Sequence, residues 1–338
     1  MIQNLNPKKK GIESSGACGF LPLLDRFGRP VTQLRISLTE RCNLNCLYCH
    51  MEGYGLPAEE LSPDQIQRLV EVAAKLGMRK VKLTGGEPLL RPDLVEIVEK
   101  IAGIKGIVEV SLTTNGVLLP GAAWKLKEAG LARVNISLPS LRRRVYEAIT
   151  GSSMLNKVLE GIAEAERAGL TPVKLNMVVL KRLNEQDIWL AARLIEGRDF
   201  ILQLIELEKI GAGSKIYSRY YLSLDQVRVK LEAEACKVEV RPLHNRKIYH
   251  LKNGRVRIEL VRPFHNSEFC LNCKRLRVTA DGKLKPCLMR NDNLVDVASL
   301  LHNPASQEVV EEAIKKAVAL REPYYLKGKR PSFKSLTV

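Results

Sequence analysis

The chain has 338 residues, of which 45% are hydrophobic and 27% are charged, and this excludes a disordered or low-complexity chain. No apolar run reaches the ~20 residues that cross a bilayer, and no signal-peptide stretch follows the lysines near the N-terminus, so we expect a cytoplasmic protein. The net charge of +17 suits an anionic ligand such as a nucleotide, or nucleic acid, and is equally typical of a Lys/Glu-rich thermophile surface.

Strand and helix patterns alternate through the N-terminal part of the chain. Ser62 as N-cap, Pro63 at the first helical position and Gln65 three residues after the cap predict where the first helix begins. The alternation favours an α/β fold with a parallel sheet, either doubly wound or a partial barrel, whose functional residues lie at the carboxyl ends of the strands. The predicted strands are 33–38, 80–84, 107–113, 133–137, 172–179 and 200–207.

Beyond residue 210 the pattern changes. It predicts a helix at 225–235, hairpins that turn at Asn253-Gly254 and Asp281-Gly282, and a helix near 307–320. We therefore expect four regions: a tail at 1–21, the α/β barrel or sheet at 22–210, a C-terminal region at 211–326 and a tail at 327–338.

Six of the eight cysteines form two triplets, and clustered cysteines in a cytosolic chain usually bind metal. The first triplet, Cys42, Cys46 and Cys49, has C-x3-C-x2-C spacing and follows the first predicted strand. Three thiolates on a four-iron cubane leave one iron open to a small molecule, whereas a zinc site would need His50 as its fourth ligand. Two cysteines remain, and we expect them to be small buried hydrophobic residues: Cys18 and Cys236.

The second triplet has C-x2-C-x13-C spacing and comprises Cys270, Cys273 and Cys287. It is compatible with a second open cluster, or with a zinc ribbon completed by a residue such as His265. Beside it, Arg275 and Arg277 would point to one face of an extended segment and Leu276 to the other. Guanidinium forks suit a phosphate or a purine, although a solvated basic strand edge would have the same pattern.

The segment TGGEP, Thr84 to Pro88, follows the second predicted strand. Its glycines allow a ligand to approach the backbone and Glu87 can accept an ammonium group, although an ordinary strand-to-helix turn also fits. Together with the first triplet and Tyr48, this segment resembles the radical S-adenosylmethionine (SAM) superfamily. In that superfamily the open iron binds the methionine moiety of SAM, and cleavage of SAM gives a 5′-deoxyadenosyl radical.

Residues 22–325 resemble one family, the MoaA-type GTP 3′,8-cyclases. The matching segments are DRFGRPVTQLRISLTERCNLNCLYC, VKLTGGEPLLRPDL, LTTNG, RVNISL, VKLNMVV and the FC-x2-C-x-RLR segment. The resemblance implies an incomplete (β/α)6 TIM-type barrel, closed by a C-terminal segment that carries a second iron–sulfur cluster. It implies hydrogen abstraction from the ribose 3′ carbon of GTP and bonding of that carbon to guanine C8, the first step of molybdenum cofactor biosynthesis.

The resemblance also assigns roles. It implies two [4Fe-4S] clusters, one on each cysteine triplet, and makes Cys42, Cys46, Cys49, Arg275 and Arg277 catalytic. The implied SAM contacts are Tyr48, Gly85, Gly86, Glu87 and Ser137. The implied GTP contacts are Arg35, Lys82, Thr113, Lys174, Arg275, Leu276 and Arg277, with Asn176 nearby. It further implies an electron donor and a downstream cyclic pyranopterin monophosphate synthase, no role for membrane or nucleic acid, and leaves a homodimer open.

Several positions depart from the family pattern. Lys82 replaces an arginine of bacterial members, Gln203 and Glu208 replace an arginine and a methionine, and Pro139 replaces an aspartate. The sequence ends in SLTV, without the Gly-Gly tail that bacterial members insert into the active site. CHMEG, LQLIEL and REPYY are similar to the archaeal-type branch, so we expect an archaeal or thermophilic source.

Two other functions remain open at this stage. One is a different radical SAM enzyme with an auxiliary cluster and a peptide or other substrate. The other is a zinc or iron–sulfur protein that binds nucleic acid, which would explain the net charge of +17 but not TGGEP or the barrel pattern.

Overall fold

A computed structural model describes residues 21–50, 59–302 and 307–328. The predicted tails lie almost wholly outside the described residues, as does Cys18. The first part of the chain contains β1 (Gln33–Ser37), α1 (Pro63–Lys75), β2 (Lys80–Thr84), α2 (Leu94–Ala102), β3 (Glu109–Thr114), α3 (Ala123–Glu128), β4 (Arg133–Ser137), α4 (Arg143–Thr150), α5 (Leu155–Arg167), β5 (Val173–Val179), α6 (Ile188–Leu194) and β6 (Phe200–Glu206).

The C-terminal part is more irregular. Its elements are α7 (Gly213–Tyr220), α8 (Asp225–Glu234), β7 (Lys237–Arg241), β8 (Arg246–Leu251), β9 (Val256–Val261), α9 (Ser267–Leu271), β10 (Arg275–Val278), β11 (Lys283–Lys285), β12 (Val295–Asp296), α10 (Ala298–His302) and α11 (Gln307–Ala319). Short 3₁₀ turns occur at Pro88–Leu90 and Glu185–Asp187.

Strands β1 to β6 are parallel and neighbour one another in chain order, which confirms the predicted α/β fold with a mostly parallel sheet. The C-terminal part extends both edges of this sheet, because β10 pairs in parallel with β1 and β9 pairs in parallel with β6. Within the described residues the strand order is β12-β11-β10-β1-β2-β3-β4-β5-β6-β9-β8-β7, which is consistent with a partial TIM barrel.

Side chains alternate sharply between the two faces of the parallel strands. On β1, Leu34 and Ile36 are buried in the hydrophobic core, whereas Arg35 lines a cavity on the opposite face. The same holds on β2, where Val81 and Leu83 pack in the core and flank Lys82. The apolar face packs against helices such as α1, so the inner face of the sheet is free to carry polar residues.

Local signals in the sequence are confirmed at the helix start and at both turns. Ser62 and Gln65 form the predicted capping box: Gln65 N donates to Ser62 Oγ at 3.3 Å, and Ser62 N donates to Gln65 Oε1 at 2.8 Å. Gly254 and Gly282 have φ of 86° and 72° in the turns of the two predicted hairpins. Among the residues described, no helix combines the length and apolar character needed to span a membrane.

One structural prediction is wrong. Cys236 is exposed rather than buried, and its thiol hydrogen-bonds to the carbonyl of His250 at 3.2 Å. It precedes β7, an edge strand of which the first four residues are exposed, so the surrounding sheet offers no apolar pocket for the thiol.

Candidate active site

A cavity of about 650 Å³ lies inside the curved sheet and is lined by all six cysteines of the two triplets. Two of the predicted ligand contacts, Glu87 and Leu276, do not line it. The other predicted ligand contacts do: Arg35, Tyr48, Lys82, Gly85, Gly86, Thr113, Ser137, Lys174, Arg275 and Arg277. The fold therefore brings two widely separated sequence motifs to one chamber.

The first triplet lies on a loop that follows β1. Helix α4 fixes this loop, because Asn45 N donates to Thr150 O at 3.0 Å and Leu47 N donates to Ile149 O at 2.9 Å. Burial first, and then the charges of Cys49 and Cys42, raise the pKa of Cys46 to about 12. The three thiols form a donor set that must lose protons when iron binds.

The segment after β6 packs against the third cysteine. Ala212 N donates to Cys49 O at 2.9 Å. Gly211 has φ of 54°, and a Cβ there would lie 2.4 Å from His50 O, so this close approach requires glycine. Glu208, whose role the sequence left open, lines the cavity and lies 2.8 Å from His50 Nε2.

Within TGGEP, the glycines and the glutamate have different surroundings. Gly86 lines the cavity, and a Cβ on it would lie 2.2 Å from Arg41 O, so the loop can pack here only as glycine. Glu87 is fully buried. Its carboxylate accepts hydrogen bonds from Thr114 Oγ1 at 2.7 Å, Asn115 N at 2.7 Å and Leu89 N at 3.0 Å. Burial raises the pKa of Glu87 to about 7.

Glu87 is therefore occupied by donors of the protein itself. It joins the loop after β2 to the end of β3, and in this structure its carboxylate does not reach the cavity. These contacts position the glycine loop, and a direct contact of Glu87 with the amino group of SAM stays a prediction.

Two arginines, one near each end of the sequence, hold the backbone of the second triplet in place. Arg29 Nη1 donates to Cys270 O at 2.8 Å and Arg321 Nη2 donates to Cys273 O at 2.6 Å. Both guanidiniums also bind the carboxylate of Asp25, at 2.8 and 2.9 Å. The REPYY segment, which contains Arg321, thus closes a buried ionic network around the triplet.

The sulfur atoms of this triplet accept backbone N–H groups, which come from Tyr325, Arg275 and Met289 for Cys270, Cys273 and Cys287. Burial raises the pKa of Cys270 to about 11. Burial also acts to raise the pKa of Cys273, but the Arg321 and Arg277 guanidiniums bring it below its ordinary value. Burial raises the pKa of Cys287 as well, so within this triplet only Cys273 has its thiolate stabilised overall.

Neither cysteine triplet is arranged as a site for a single metal ion. The described part of the chain has no group of three or more Cys, His, Asp or Glu side chains placed to hold one metal ion. A cubane takes each thiolate on a different iron, so its ligands are spaced more widely than those of zinc. His265, the alternative zinc ligand, stacks against Phe264 and Tyr325 and does not line the cavity.

A wall of cations lies beside the second triplet. β10 forms as predicted and aligns with β1, which pairs Arg275 with Gln33 and Arg277 with Arg35. Leu276 is fully buried in the core, so its side chain cannot contact a ligand in the cavity. Burial and then the neighbouring arginines, Arg246 first, lower the pKa of Arg275 well below its usual range. Mutually repelling buried cations of this kind favour an anionic ligand.

Sequence reasoning missed one ionic group in this wall. Glu259 on β9 is fully buried and accepts hydrogen bonds from Lys174 Nζ at 2.7 Å and Gln203 Nε2 at 2.5 Å. Arg246 and Arg241 approach it at 3.2 and 3.9 Å. The sequence did contain a signal for this group: Glu259 is an isolated acidic residue in the strand-like segment RIELV. A carboxylate that is buried in such a strand needs cationic or hydrogen-bonding partners, so its position predicts an ionic group.

Two family profiles cover most of the chain. The Radical SAM superfamily profile matches residues 36–195, and the Molybdenum Cofactor Synthesis C profile matches residues 200–327. With the cysteine loop at the end of β1, these matches define a radical SAM protein with a molybdenum-cofactor C-terminal region.

Relatives with curated names narrow the class. A protein named "Probable GTP 3′,8-cyclase" from Thermococcus kodakarensis is 49% identical to this chain, over 90% of this chain and 99% of its own length. One of the same name from Methanosarcina acetivorans is also 49% identical, over 90% of each chain. One from Pyrococcus horikoshii is 48% identical over 90% of this chain and 98% of its own. The chain belongs to the GTP 3′,8-cyclase family of radical SAM proteins, as its sequence motifs indicated.

Solved structures agree on the fold. SuiB from Streptococcus suis, bound to S-adenosylmethionine, superposes with a TM-score of 0.62 at 16% identity, over 83% of this chain and 68% of its own. Native anSMEcpe with bound AdoMet gives a TM-score of 0.57 at 17% identity, over 84% of this chain and 82% of its own. At these identities the likeness supports the radical SAM architecture alone.

Proposed function

We propose that this protein converts GTP to 3′,8-cyclo-7,8-dihydro-GTP, the first step of molybdenum cofactor biosynthesis. The observation that carries the proposal is the single cavity that both cysteine triplets line, with a wall of buried cations beside the second triplet. Family membership supports the same reaction.

The part of the cavity beside the first cysteine triplet is suited to SAM. Cys42, Cys46 and Cys49 would hold a [4Fe-4S] cluster, which supplies one-electron cleavage of SAM when bound. The protein's part is to orient SAM, and Gly85, Gly86, Tyr48 and Ser137 line the cavity where this binding is needed. Glycines without side chains leave backbone groups accessible to the polar methionine moiety.

The part of the cavity beside the second cysteine triplet is suited to GTP. We propose that Cys270, Cys273 and Cys287 hold a second [4Fe-4S] cluster facing the guanine, since their sulfur atoms already accept backbone hydrogen bonds. Arg275, Arg277 and Arg35 would bind the phosphates, and Lys82, Thr113 and Lys174 line the chamber beside them. Enclosure of both substrates in one chamber keeps water from a radical intermediate.

The proposal includes further participants. An electron donor reduces the first cluster, and a cyclic pyranopterin monophosphate synthase takes the cyclised product. We propose that both meet the protein in the cytoplasm. The domain division at 210/211 stays a prediction, and so does a homodimer.

The test is anaerobic turnover. Protein reconstituted with iron and sulfide should contain about eight irons per chain, the sum of two cubanes. With SAM and a reductant it should form 5′-deoxyadenosine and a cyclised isomer of GTP separable by chromatography, and ATP should give no such product. About four irons and no consumption of GTP would favour another radical SAM reaction. A colourless zinc protein would favour the nucleic-acid-binding alternative.

A further inference from the structure

Arg246 begins strand β8 and lines the cavity, although its side chain is only 9% exposed. Its Nη2 lies 3.2 Å from Glu259 Oε1, and its Nε has no hydrogen-bond partner among the residues described. A guanidinium carries five N–H donors, and leaving some of them unused in a buried place is costly. The group is thus suited to accept an anionic ligand that enters the cavity.

The turn between β7 and β8 fixes where Arg246 lies. His244 in this turn donates its backbone N–H to Asn272 O at 2.9 Å, and its ring stacks on Phe269 with centroids 3.8 Å apart. Phe269 and Asn272 flank the first two cysteines of the second triplet. The hairpin is therefore docked on the same loop that carries the triplet, and it presents Arg246 from a defined position.

Glu259 connects Arg246 to a position that departs from the family pattern. Gln203 on β6 pairs in register with Glu259 on β9, and its amide donates to the Glu259 carboxylate at 2.5 Å. An arginine is expected at position 203, but here a neutral amide occupies it. Arg246 reaches the same carboxylate from β8 and so restores a cation at this part of the wall.

The balance of charge shows that Glu259 does not neutralise the wall. Lys174 Nζ lies 2.7 Å from this one carboxylate, and Arg241 lies 3.9 Å from it. Among the described residues that line the cavity, twelve are Lys or Arg and three are Glu. Positive charge remains to be compensated, and a triphosphate carries enough negative charge to do so.

We propose that Arg246 binds the phosphates of the nucleotide substrate and supplies, from the β7–β8 hairpin, the cation that Gln203 does not. This inference rests on the proposed function, because it takes GTP as the ligand. Glu259 is a positioning residue here, since it orients the guanidinium without touching the ligand.

The test compares GTP with guanosine, which has the same base and ribose but no phosphate. Their affinities are measured by anaerobic calorimetry on reconstituted protein without reductant. Arg246→Gln should weaken GTP binding at least ~10-fold and change guanosine binding less than ~2-fold, because a charge-assisted contact is lost at the phosphates alone. Arg246→Lys should recover part of the loss, since charge returns without the planar fork.

Arg257→Gln is the matched control. Arg257 lies on β9, donates to Phe200 O and pairs with Asp199 at 2.5 Å, and it does not line the cavity. Unchanged GTP affinity in Arg246→Gln, or equal losses for GTP and guanosine, would overturn the proposal. If Arg246→Gln does not fold, the affinity of Arg246→Lys for GTP is measured instead. Wild-type affinity of Arg246→Lys for GTP would then overturn the proposal. Failure of the wild type to bind GTP at all would overturn the proposed function as well.

Discussion

Arg35 on β1 and Arg277 on β10 occupy paired positions on neighbouring parallel strands, although they come from opposite ends of the sequence. Both side chains line the cavity, and Arg275 joins them from two residues earlier on β10. The strand that follows the second cysteine pair thus completes the wall that the first strand begins. This pairing places the arginines that we propose bind the phosphates beside the second triplet.

Loss of either β10 arginine should weaken nucleotide binding selectively. Arg277→Ala and Arg275→Ala each remove a charge-assisted contact of roughly 1.5–3 kcal/mol, so GTP affinity should fall about 10–100-fold. SAM affinity should hardly change, because the SAM contacts lie at the other triplet. Calorimetry with each ligand checks both statements, and wild-type GTP affinity in both variants would reject a nucleotide site at β10.

The two triplets should load iron independently. Cys46→Ala leaves two thiolates at the first site, and Cys273→Ala leaves two at the second, so each variant should lose about four irons. Cys46→Ala should abolish 5′-deoxyadenosine formation, whereas Cys273→Ala should retain slow cleavage of SAM and lose GTP conversion. Iron analysis and product chromatography separate the two. Normal GTP conversion by Cys273→Ala would make the second triplet merely structural.

Glu87 should behave as a structural residue of the SAM loop. In Glu87→Gln the new NH₂ group would face a backbone donor in either orientation: Asn115 N, from which the carboxylate accepts at 2.7 Å, or Leu89 N, from which it accepts at 3.0 Å. The free energy of unfolding should fall by about 1–3 kcal/mol, as for other unsatisfied buried groups. Urea unfolding measures this, with exposed Glu99→Gln as the control. Unchanged stability together with lost SAM binding would instead indicate a direct contact with SAM.

Glu259 should make stability depend on acid pH. Its pKa is lowered to about 2: burial opposes the shift, and Arg246, Lys174 and Arg241 overcome it. A carboxylate whose folded pKa is depressed stabilises the fold above its unfolded pKa, and loses that contribution as pH falls from about 4.5 towards 2. The contribution is about 3 kcal/mol at neutral pH by linkage.

The check is the pH dependence of urea unfolding. The free energy of unfolding of the wild type should fall more steeply below about pH 4.5 than that of Glu259→Gln, which has no carboxyl to titrate there. Glu239→Gln, on the exposed strand β7, is the control and should follow the wild type. Parallel curves for wild type and Glu259→Gln would show that Glu259 is not held charged by its cationic neighbours.

Local patterns predicted the six parallel strands well, because the alternation of apolar residues is a local property. Cysteine spacing is local too, and both cysteine triplets line the cavity. Local patterns did not predict that β9 and β10 extend opposite edges of one sheet, since this pairing joins segments far apart in sequence. Helix α4, which fixes the first cysteine loop, was also missed. Its sequence RRVYEAIT begins with two arginines, and the N-cap residue, Arg142, makes no side-chain capping hydrogen bond.

The same limit applies to the site. The cysteines and the β10 arginines were predictable because they belong to recognisable motifs. Arg246 and Glu259 belong to no motif, and only the docking of the β7–β8 hairpin brings them to Lys174 and Gln203. Glu87 belongs to a motif, but its direction depends on hydrogen bonds from the end of β3.

The most direct measurement follows a single hydrogen atom. GTP deuterated at the ribose 3′ carbon is incubated anaerobically with reconstituted protein, SAM and reductant, and the 5′-deoxyadenosine is analysed by mass spectrometry. A 3′,8-cyclase transfers that deuterium to 5′-deoxyadenosine, while GTP deuterated at the 2′ carbon leaves it unlabelled. Unlabelled 5′-deoxyadenosine from the 3′-deuterated substrate, at a normal rate of SAM cleavage, would contradict hydrogen abstraction from GTP by this protein.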